Sequence, residues 1–451
     1  MIQFFYRQHI IQQIILLIIL IILSVFAYLN GNYVDLNTIK SIRIAQSMQE
    51  GFLLLRDLKT DISPSYILLI KSINSLGISL VFISFLGLVF NLANMVLFYL
   101  ILEKNDIFDL RTSLSVFVAC LAILLDKDLF ILKPESIGLF FGIFGISILI
   151  DHFKTLVDDY KRHKMGFFLG LASLFHQSFV LILILIIIYL AVSSRISLRS
   201  YLLIITSFLI PYIPLLAYFI FNNAENDYFK HLFNFDLNNG LENNFMSQNF
   251  HWFGFLALGF LSFLGMSRLF VNNLQSSFKI FMFLWLIVFT CVKIFLDEEI
   301  SLMILLPPLM FLFPFFMFSI KKSWFKEVIG VILVCLSIYF FITHHHHDKK
   351  QIAKKFKPKS EKWMVLSDDY SIYVEKKSAS PFFDFQELLK IANKKNDYFA
   401  LGLWHHYILT FKPKVIYDPN NYLKAVENYL PLLDKHYSYN QHSNSYIHKD
   451  D

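Results

Sequence analysis

Apolar runs follow one another along the first 343 residues, and their lengths suit one environment, a lipid bilayer. They lie at about Ile10–Leu29, Ser79–Leu102, Thr112–Leu125, Ser136–Ile150, Met165–Leu174, Phe179–Val192, Tyr201–Phe221, Trp252–Leu269, Ile280–Phe295, Ile300–Ile320 and Val328–Thr343. The chain is 56% hydrophobic and 16% charged, well beyond what a soluble core of 451 residues needs. A perpendicular helix needs about 20 residues to cross the hydrocarbon. The shorter runs therefore imply tilted, re-entrant or sheltered helices. The first run has no small-residue cleavage site and is followed by more spans, so it reads as an anchor and not as a removed signal. The expected fold is an α-helical polytopic membrane protein of about eleven spans, followed by a small soluble α/β domain.

Lysine and arginine positions set the expected orientation. Arg7 precedes the first run, and Lys154, Lys161, Arg162 and Lys164 form the densest basic short loop; both belong in the cytoplasm. The first loop, residues 30–63, then faces outward. His176-Gln177-Ser178 interrupts the run from Met165 to Val192, which can be one long span or two short ones. Lys164 and Arg195/Arg199 favour two, because these charges then share a side. That choice gives an external tail, although seven lysines between Lys349 and Lys362 favour the opposite side. The expected location is an inner membrane with the N-terminus in the cytoplasm and the tail periplasmic.

Cys120, Cys291 and Cys335 all lie in apolar runs, so no disulfide framework is implied. The net charge of +6 gathers at span ends and after the last span, which suits lipid headgroups and phosphates and not nucleic acid. Phosphate-binding loops, dinucleotide fingerprints, HExxH and CxxC are missing from the sequence. Residues 344–451 change composition and read as an extracytoplasmic α/β domain. Strands are expected at Trp363–Leu366, Ser371–Glu375 and Val415–Tyr417, a helix at Phe385–Asn393, and a frayed, disordered end over SYNQHSNSYIHKDD.

Four groups of residues can carry chemistry, each with a plainer alternative. Asp57 and Asp61 lie on the first loop, where a carboxylate can act as a general base or hold a divalent cation on a phosphate. The alternative is a solvated loop that pairs with Arg56 and Lys59. Lys133-Pro134-Glu135-Ser136 opens a span. A carboxylate entering a bundle is costly unless partnered or functional, yet acids also sit at helix starts to complement the dipole. His176 can meet a phosphate or move a proton, or simply mark a polar turn. The run His344–His347 reads as an interfacial tract, since adjacent histidines cannot all face one ion. Asp368, Asp369 and Asp418 stand beside turn residues and read as backbone caps.

The stretch EGFLLLRDLKTDISPSYILLIKSINSLGIS resembles the first-loop pattern of GT-C glycosyltransferases, with an acid after a basic residue, a second acid, and Ser-Pro opening the next helix. ILKPESIGLFFGIFG is similar to the Arg-Pro-Glu helix start of many members, with Lys133 in place of Arg, and GFFLGLASLFHQSFVLIL resembles their glycine-rich short hairpin. Segments of the tail also resemble a bacterial multi-span family related to that superfamily. The resemblance implies transfer of a sugar from a polyprenyl-phosphate donor, with inversion, to an envelope glycan, lipid or protein. It makes Asp57 the catalytic base, Asp61 and Glu135 the groups that orient the acceptor or a cation, and Arg56, Lys133 and His176 the phosphate partners. A divalent cation is the one cofactor it leaves open. Two other readings stand beside it: a non-enzymatic scaffold or assembly factor of an envelope complex, and a lipid-linked glycan polymerase or flippase.

Overall fold

The computed structural model of the chain describes residues 36–58, 60, 62–77, 80–108, 112–125, 131–154, 158–193, 197–233, 273–296, 302–347, 363–366, 412–418, 421–426, 430–440 and 444–449, with residues 14, 15, 18, 22, 260, 401, 402, 405, 408 and 409. The chain divides into two compact units. One holds Met1–Tyr33, Ser63–Tyr66 and Ser79–Lys349, and the other Val34–Ile62, Ile67–Ile78 and Lys350–Asp451. The expected spans at Ile10–Leu29 and Trp252–Leu269 lie, apart from single residues, outside the described residues. Asp61, Asp368, Asp369 and the segments Ser371–Glu375 and Phe385–Asn393 lie outside them too.

The chain is mostly helical. Ahead of the larger unit's main helices come α1 (Leu36–Gln49) and α2 (Pro64–Ser75). The larger unit then contains α3 (Leu80–Lys104), α4 (Leu114–Leu125), α5 (Pro134–Lys154), α6 (Asp159–Phe175), α7 (Ser178–Ser193), α8 (Leu198–Leu209), α9 (Tyr212–Phe221), α10 (Glu225–Phe233), α11 (Asn273–Leu296), α12 (Leu302–Ser319) and α13 (Ser323–His347). Among the described residues, three helices are long and apolar enough to cross a membrane: Phe85–Lys104 of α3, all of α5 and all of α12. A fourth follows if α8 and α9, which meet at a 42° bend, form one broken span. These helices fit a membrane protein. α12 lies at the centre, buried from Leu302 through Phe315 and packed on α4 and α11. It carries Pro307, Pro308 and Pro314 inside the helix. Proline is tolerated in such a place because neighbouring helices shelter the freed carbonyls.

Helix directions follow from which residues meet. Along α5, Gly138 and Gly142 face Ala172 and Phe179, while Gly145 faces Leu169 and Met165. α6 therefore runs antiparallel to α5. Phe179, at the start of α7, meets the early part of α5, and Tyr189 meets Phe153 at its end, with ring centroids 5.3 Å apart. α7 therefore runs parallel to α5 and reverses α6. The interruption at His176 is the turn of a helical hairpin, which accounts for the polar break inside one apolar stretch. α8 returns parallel to α6: Gly166 abuts the Ile204 carbonyl, Gly170 the Phe208 carbonyl, and His163 Nδ1 lies 2.5 Å from Ser207 Oγ. Without a hydrophobic force between helices in lipid, small residues let backbones approach closely and gain dispersion contact.

In the smaller unit, β1 (Trp363–Val365), β2 (Val415–Tyr417), β3 (Tyr437–Asn440) and β4 (Ser445–His448) form a sheet of order β1-β2-β4-β3. β1 and β2 are parallel; β4 is antiparallel to both β2 and β3. Two short helices, α14 (Tyr422–Val426) and α15 (Pro431–His436), lie between β2 and β3. The chain end corrects the expectation of fraying. Its alternating tyrosines form a hairpin in which Tyr437 and Tyr446 are buried and the Tyr439 and Tyr446 rings sit 4.9 Å apart. Asn444, just before β4, takes a positive φ of 45°, a conformation asparagine tolerates. Asp418 caps α14, accepting from the amides of Tyr422 at 2.9 Å and Leu423 at 2.8 Å. Burial pushes its carboxyl above the usual range, opposed by those N–H groups.

A methyl group at Gly170 would fall on the Phe208 carbonyl, whereas no atom of the described residues lies near the corresponding space at Gly402. Overpacking of this kind costs about 1–3 kcal/mol. In thermal unfolding of the detergent-purified protein, Gly170→Ala should lower the midpoint by several degrees and Gly402→Ala should not. Equal midpoints would show that the α6–α8 contact is not tight.

Candidate functional site

At one end of the larger unit, three segments are tied together through backbone carbonyls. The chain enters α5 through Ile131-Leu132-Lys133. Asn91 Nδ2 donates to Ile131 O at 3.3 Å, Tyr66 OH to Leu132 O at 2.5 Å, and Asn94 Nδ2 to Ser136 O at 2.7 Å. Pro134 opens α5, where its fixed φ suits a first helical position and its missing N–H has no intrahelical partner to lose. Glu135 follows in the first turn, where its charge complements the helix dipole. Only 5% of it is exposed.

The α6–α7 turn lies against this helix start. α6 stops because His176 is extended, at φ −149° and ψ 124°. Ser63 Oγ donates to Leu174 O at 2.5 Å, capturing one of the carbonyls left open at a helix end. Gln177 Nε2 donates to His231 O in α10 at 3.4 Å. The imidazole of His176 is held on both edges: Nε2 lies 3.4 Å from Glu135 Oε1, and Nδ1 accepts the Ser178 N–H at 3.4 Å. A ring nitrogen that accepts carries no hydrogen, so the pattern assigns the hydrogen to Nε2, pointing at Glu135. His176 thus has both nitrogens turned to the protein. It positions Glu135.

Several buried polar atoms at this end have no hydrogen-bond partner among the described residues, among them Glu135 Oε2, Ser178 Oγ, Tyr228 OH and the amide oxygen of Asn94. Nearby, Ser173 Oγ and Tyr212 OH lie 2.7 Å apart, and the Tyr228 ring stacks on Phe219 at 4.6 Å. Lys133 is half-buried immediately before Pro134.

The opposite end of α5 is of another kind. Lys161 pairs with Asp151 at 3.0 Å, and Asp159 with Arg162 at 2.9 Å and Arg199 at 3.2 Å. Asp158 caps α6 by accepting from Lys161 N. The 21 residues of α5 put about 32 Å between the two ends, close to a bilayer's hydrocarbon thickness.

Asp57 and Arg56 belong to the smaller unit. Asp57 Oδ2 accepts the Leu53 N–H at 2.9 Å and Oδ1 accepts Arg56 Nε at 3.1 Å, closing a tight loop in which Leu58 N also reaches Leu53 O. Leu55 in this loop is buried at a φ of 65°, an uncommon conformation for a residue with a side chain. Among the described residues, no three His, Cys, Asp or Glu side chains gather as a metal-binding group. Of the residues singled out in the sequence, the structure brings together two pairs, Asp57 with Arg56 and Glu135 with His176. It did not mark Ser178 as more than part of a polar break, nor Tyr66, Ser63 and Asn94 as the groups that fix the site; their partners are distant in the chain. No protein-family model matches the chain, and no curated protein matches it.

Removing His176 leaves the Glu135 charge buried without its donor, which should cost about 1–3 kcal/mol. Glu135→Gln should cost less, because the amide carries no charge. In denaturant or thermal unfolding, His176→Ala in a Glu135→Gln background should recover much of the loss seen for His176→Ala alone. Simple additivity of the two changes would show that the pair is not coupled.

Proposed function

We propose that this protein is a membrane glycosyltransferase that moves a sugar from a polyprenyl-phosphate donor to an envelope acceptor with inversion. The observation that carries the reading is the buried Glu135–His176 pair at the first turn of a membrane-length helix. Ionisable groups inside an apolar bundle are costly and mark substrate or ion paths. The resemblance of the first loop and of the Lys133-Pro134-Glu135 helix start to GT-C enzymes supplies the reaction class.

In this reading the bundle has about eleven spans in an inner membrane. The N-terminus and the ion-paired Lys154–Lys164 end of α5 face the cytoplasm; the Glu135 end and the tail face the periplasm. The acceptor hydroxyl gives its proton to Asp57 as its oxygen bonds to the anomeric carbon. The bond from that carbon to the phosphate oxygen breaks in the same in-line step, and the polyprenyl phosphate leaves with the electron pair. Arg56 and Lys133 supply positive charge for phosphate. Asp57 already accepts two hydrogen bonds, and a carboxylate has about four acceptor sites, so capacity for an acceptor hydroxyl is left. That same engagement also favours the second reading, a non-enzymatic scaffold in which Asp57 only closes its loop.

Asp57→Asn separates the two. The amide oxygen can still accept from Leu53 N–H, so folding should be little changed, but it cannot take a proton. Transfer of labelled sugar from a polyprenyl-phosphate donor to membrane material should fall at least about 100-fold, with Asp61→Asn milder. Wild-type transfer by Asp57→Asn would remove the general-base role and favour the scaffold.

A further inference from the structure

We infer that Glu135 and Ser178 form a subsite for the hydroxyl groups of a sugar, separate in chemistry from the groups that meet phosphate. The inference deepens the glycosyl-transfer reading and rests on it for the lipid carrier alone.

Glu135 Oε2 and Ser178 Oγ are buried in residues only 5% and 4% exposed, and neither has a partner among the described residues. A buried acceptor left without a donor costs about 1–3 kcal/mol, and more when charged. The two segments that carry these atoms are anchored by separate contacts. Tyr66 and Asn94 hold the start of α5, and Ser63 and Gln177 hold the α6–α7 turn. The two open atoms belong to residues on opposite edges of one imidazole, Glu135 against Nε2 and the Ser178 amide against Nδ1. His176 thereby fixes both residues and has no hydrogen left to give a ligand. An arrangement that is rigid and unsatisfied is what a preorganised polar site looks like before its ligand arrives.

The chemistry of the open atoms selects the ligand. A carboxylate oxygen only accepts, and it repels phosphate. A serine hydroxyl both donates and accepts. Neighbouring hydroxyls on a sugar ring match this set, one donating to Glu135 and the next exchanging a hydrogen bond with Ser178. Sites that hydrogen-bond a substrate hydroxyl reject analogues that lack it, since the buried groups are then left unpaired. Glu135 and Ser178 thus read the sugar.

The test uses the full-length protein in lipid nanodiscs and three probes: polyprenyl phosphate, polyprenyl-phosphate glucose, and octyl glucoside below its micelle-forming concentration. Wild type should bind the glucosylated lipid at least tenfold more tightly than the bare lipid. Glu135→Gln and Ser178→Ala should each bring that ratio toward one, and Ser178→Ala, which changes no charge, should leave bare-lipid affinity unchanged. Octyl glucoside should raise the melting temperature of wild type and of neither variant. If no polyprenyl lipid binds but the glucoside effect keeps its dependence on Glu135 and Ser178, the subsite stands and the carrier reading falls. If both glucose probes act alike on wild type and the two variants, or have no effect on wild type, the inference is overturned. Ser178→Ala removes one oxygen without touching the Glu135–His176 pair, so it decides the matter even if Glu135→Gln folds poorly.

Discussion

A carboxylate buried at the first turn of an apolar helix must be held by something, and here a histidine edge holds one of its oxygens while the other is left open. Glu135 Oε1 faces His176 Nε2, and Ser178 N–H faces the other ring nitrogen. Removing either support exposes a charge to a low-dielectric interior, where an unpaired ion costs far more than a neutral group. The helices around it are arranged so that this ring stays in place. The turn that carries His176 exists because α6 and α7 reverse there, and the start of α5 is clamped by donors from Tyr66, Asn91 and Asn94.

Close packing makes such an arrangement rigid. Gly138, Gly142 and Gly145 let α5 meet the α6–α7 hairpin, and Gly166 and Gly170 let α6 touch the backbone of α8. Spacing of three and four residues keeps each set on one helix face. At the far end of α5, Asp159 with Arg162 and Arg199 and Asp151 with Lys161 form exposed pairs of ordinary kind, each worth little. One end of the helix is charged and solvated, and the other is buried and polar. That asymmetry is what a membrane bundle with a single working face would have.

Much of this architecture was legible in the residues. Apolar runs from Ser79 to Leu125 and from Ser136 to Val192 became α3 to α7, and Trp363 and Val415–Tyr417 became strands. The polar break at His176 left one long span or two short ones open, the charges of Lys164 and Arg195/Arg199 favoured two, and two helices stand there. Asp418 beside a proline read as a cap and is one. The pairing of Glu135 with His176 was not legible, because contacts between distant segments leave no local periodicity. The closing hairpin was hidden for a different reason: the residues Gln441, His442 and Ser443 and their polar neighbours outweigh Tyr437, Tyr439 and Tyr446 in composition, although the tyrosines alternate as a strand requires.

The hydrogen position on His176 tests the account most directly. In protein labelled with ¹⁵N at its 15 histidines, long-range ¹H–¹⁵N correlation distinguishes the two neutral tautomers, and the His176 signals are assigned by their loss in His176→Gln. The account predicts a neutral ring protonated at Nε2 and bare at Nδ1, with the Nε2 signal shifting in Glu135→Gln. A ring protonated at Nδ1, or one indifferent to Glu135→Gln, would contradict it.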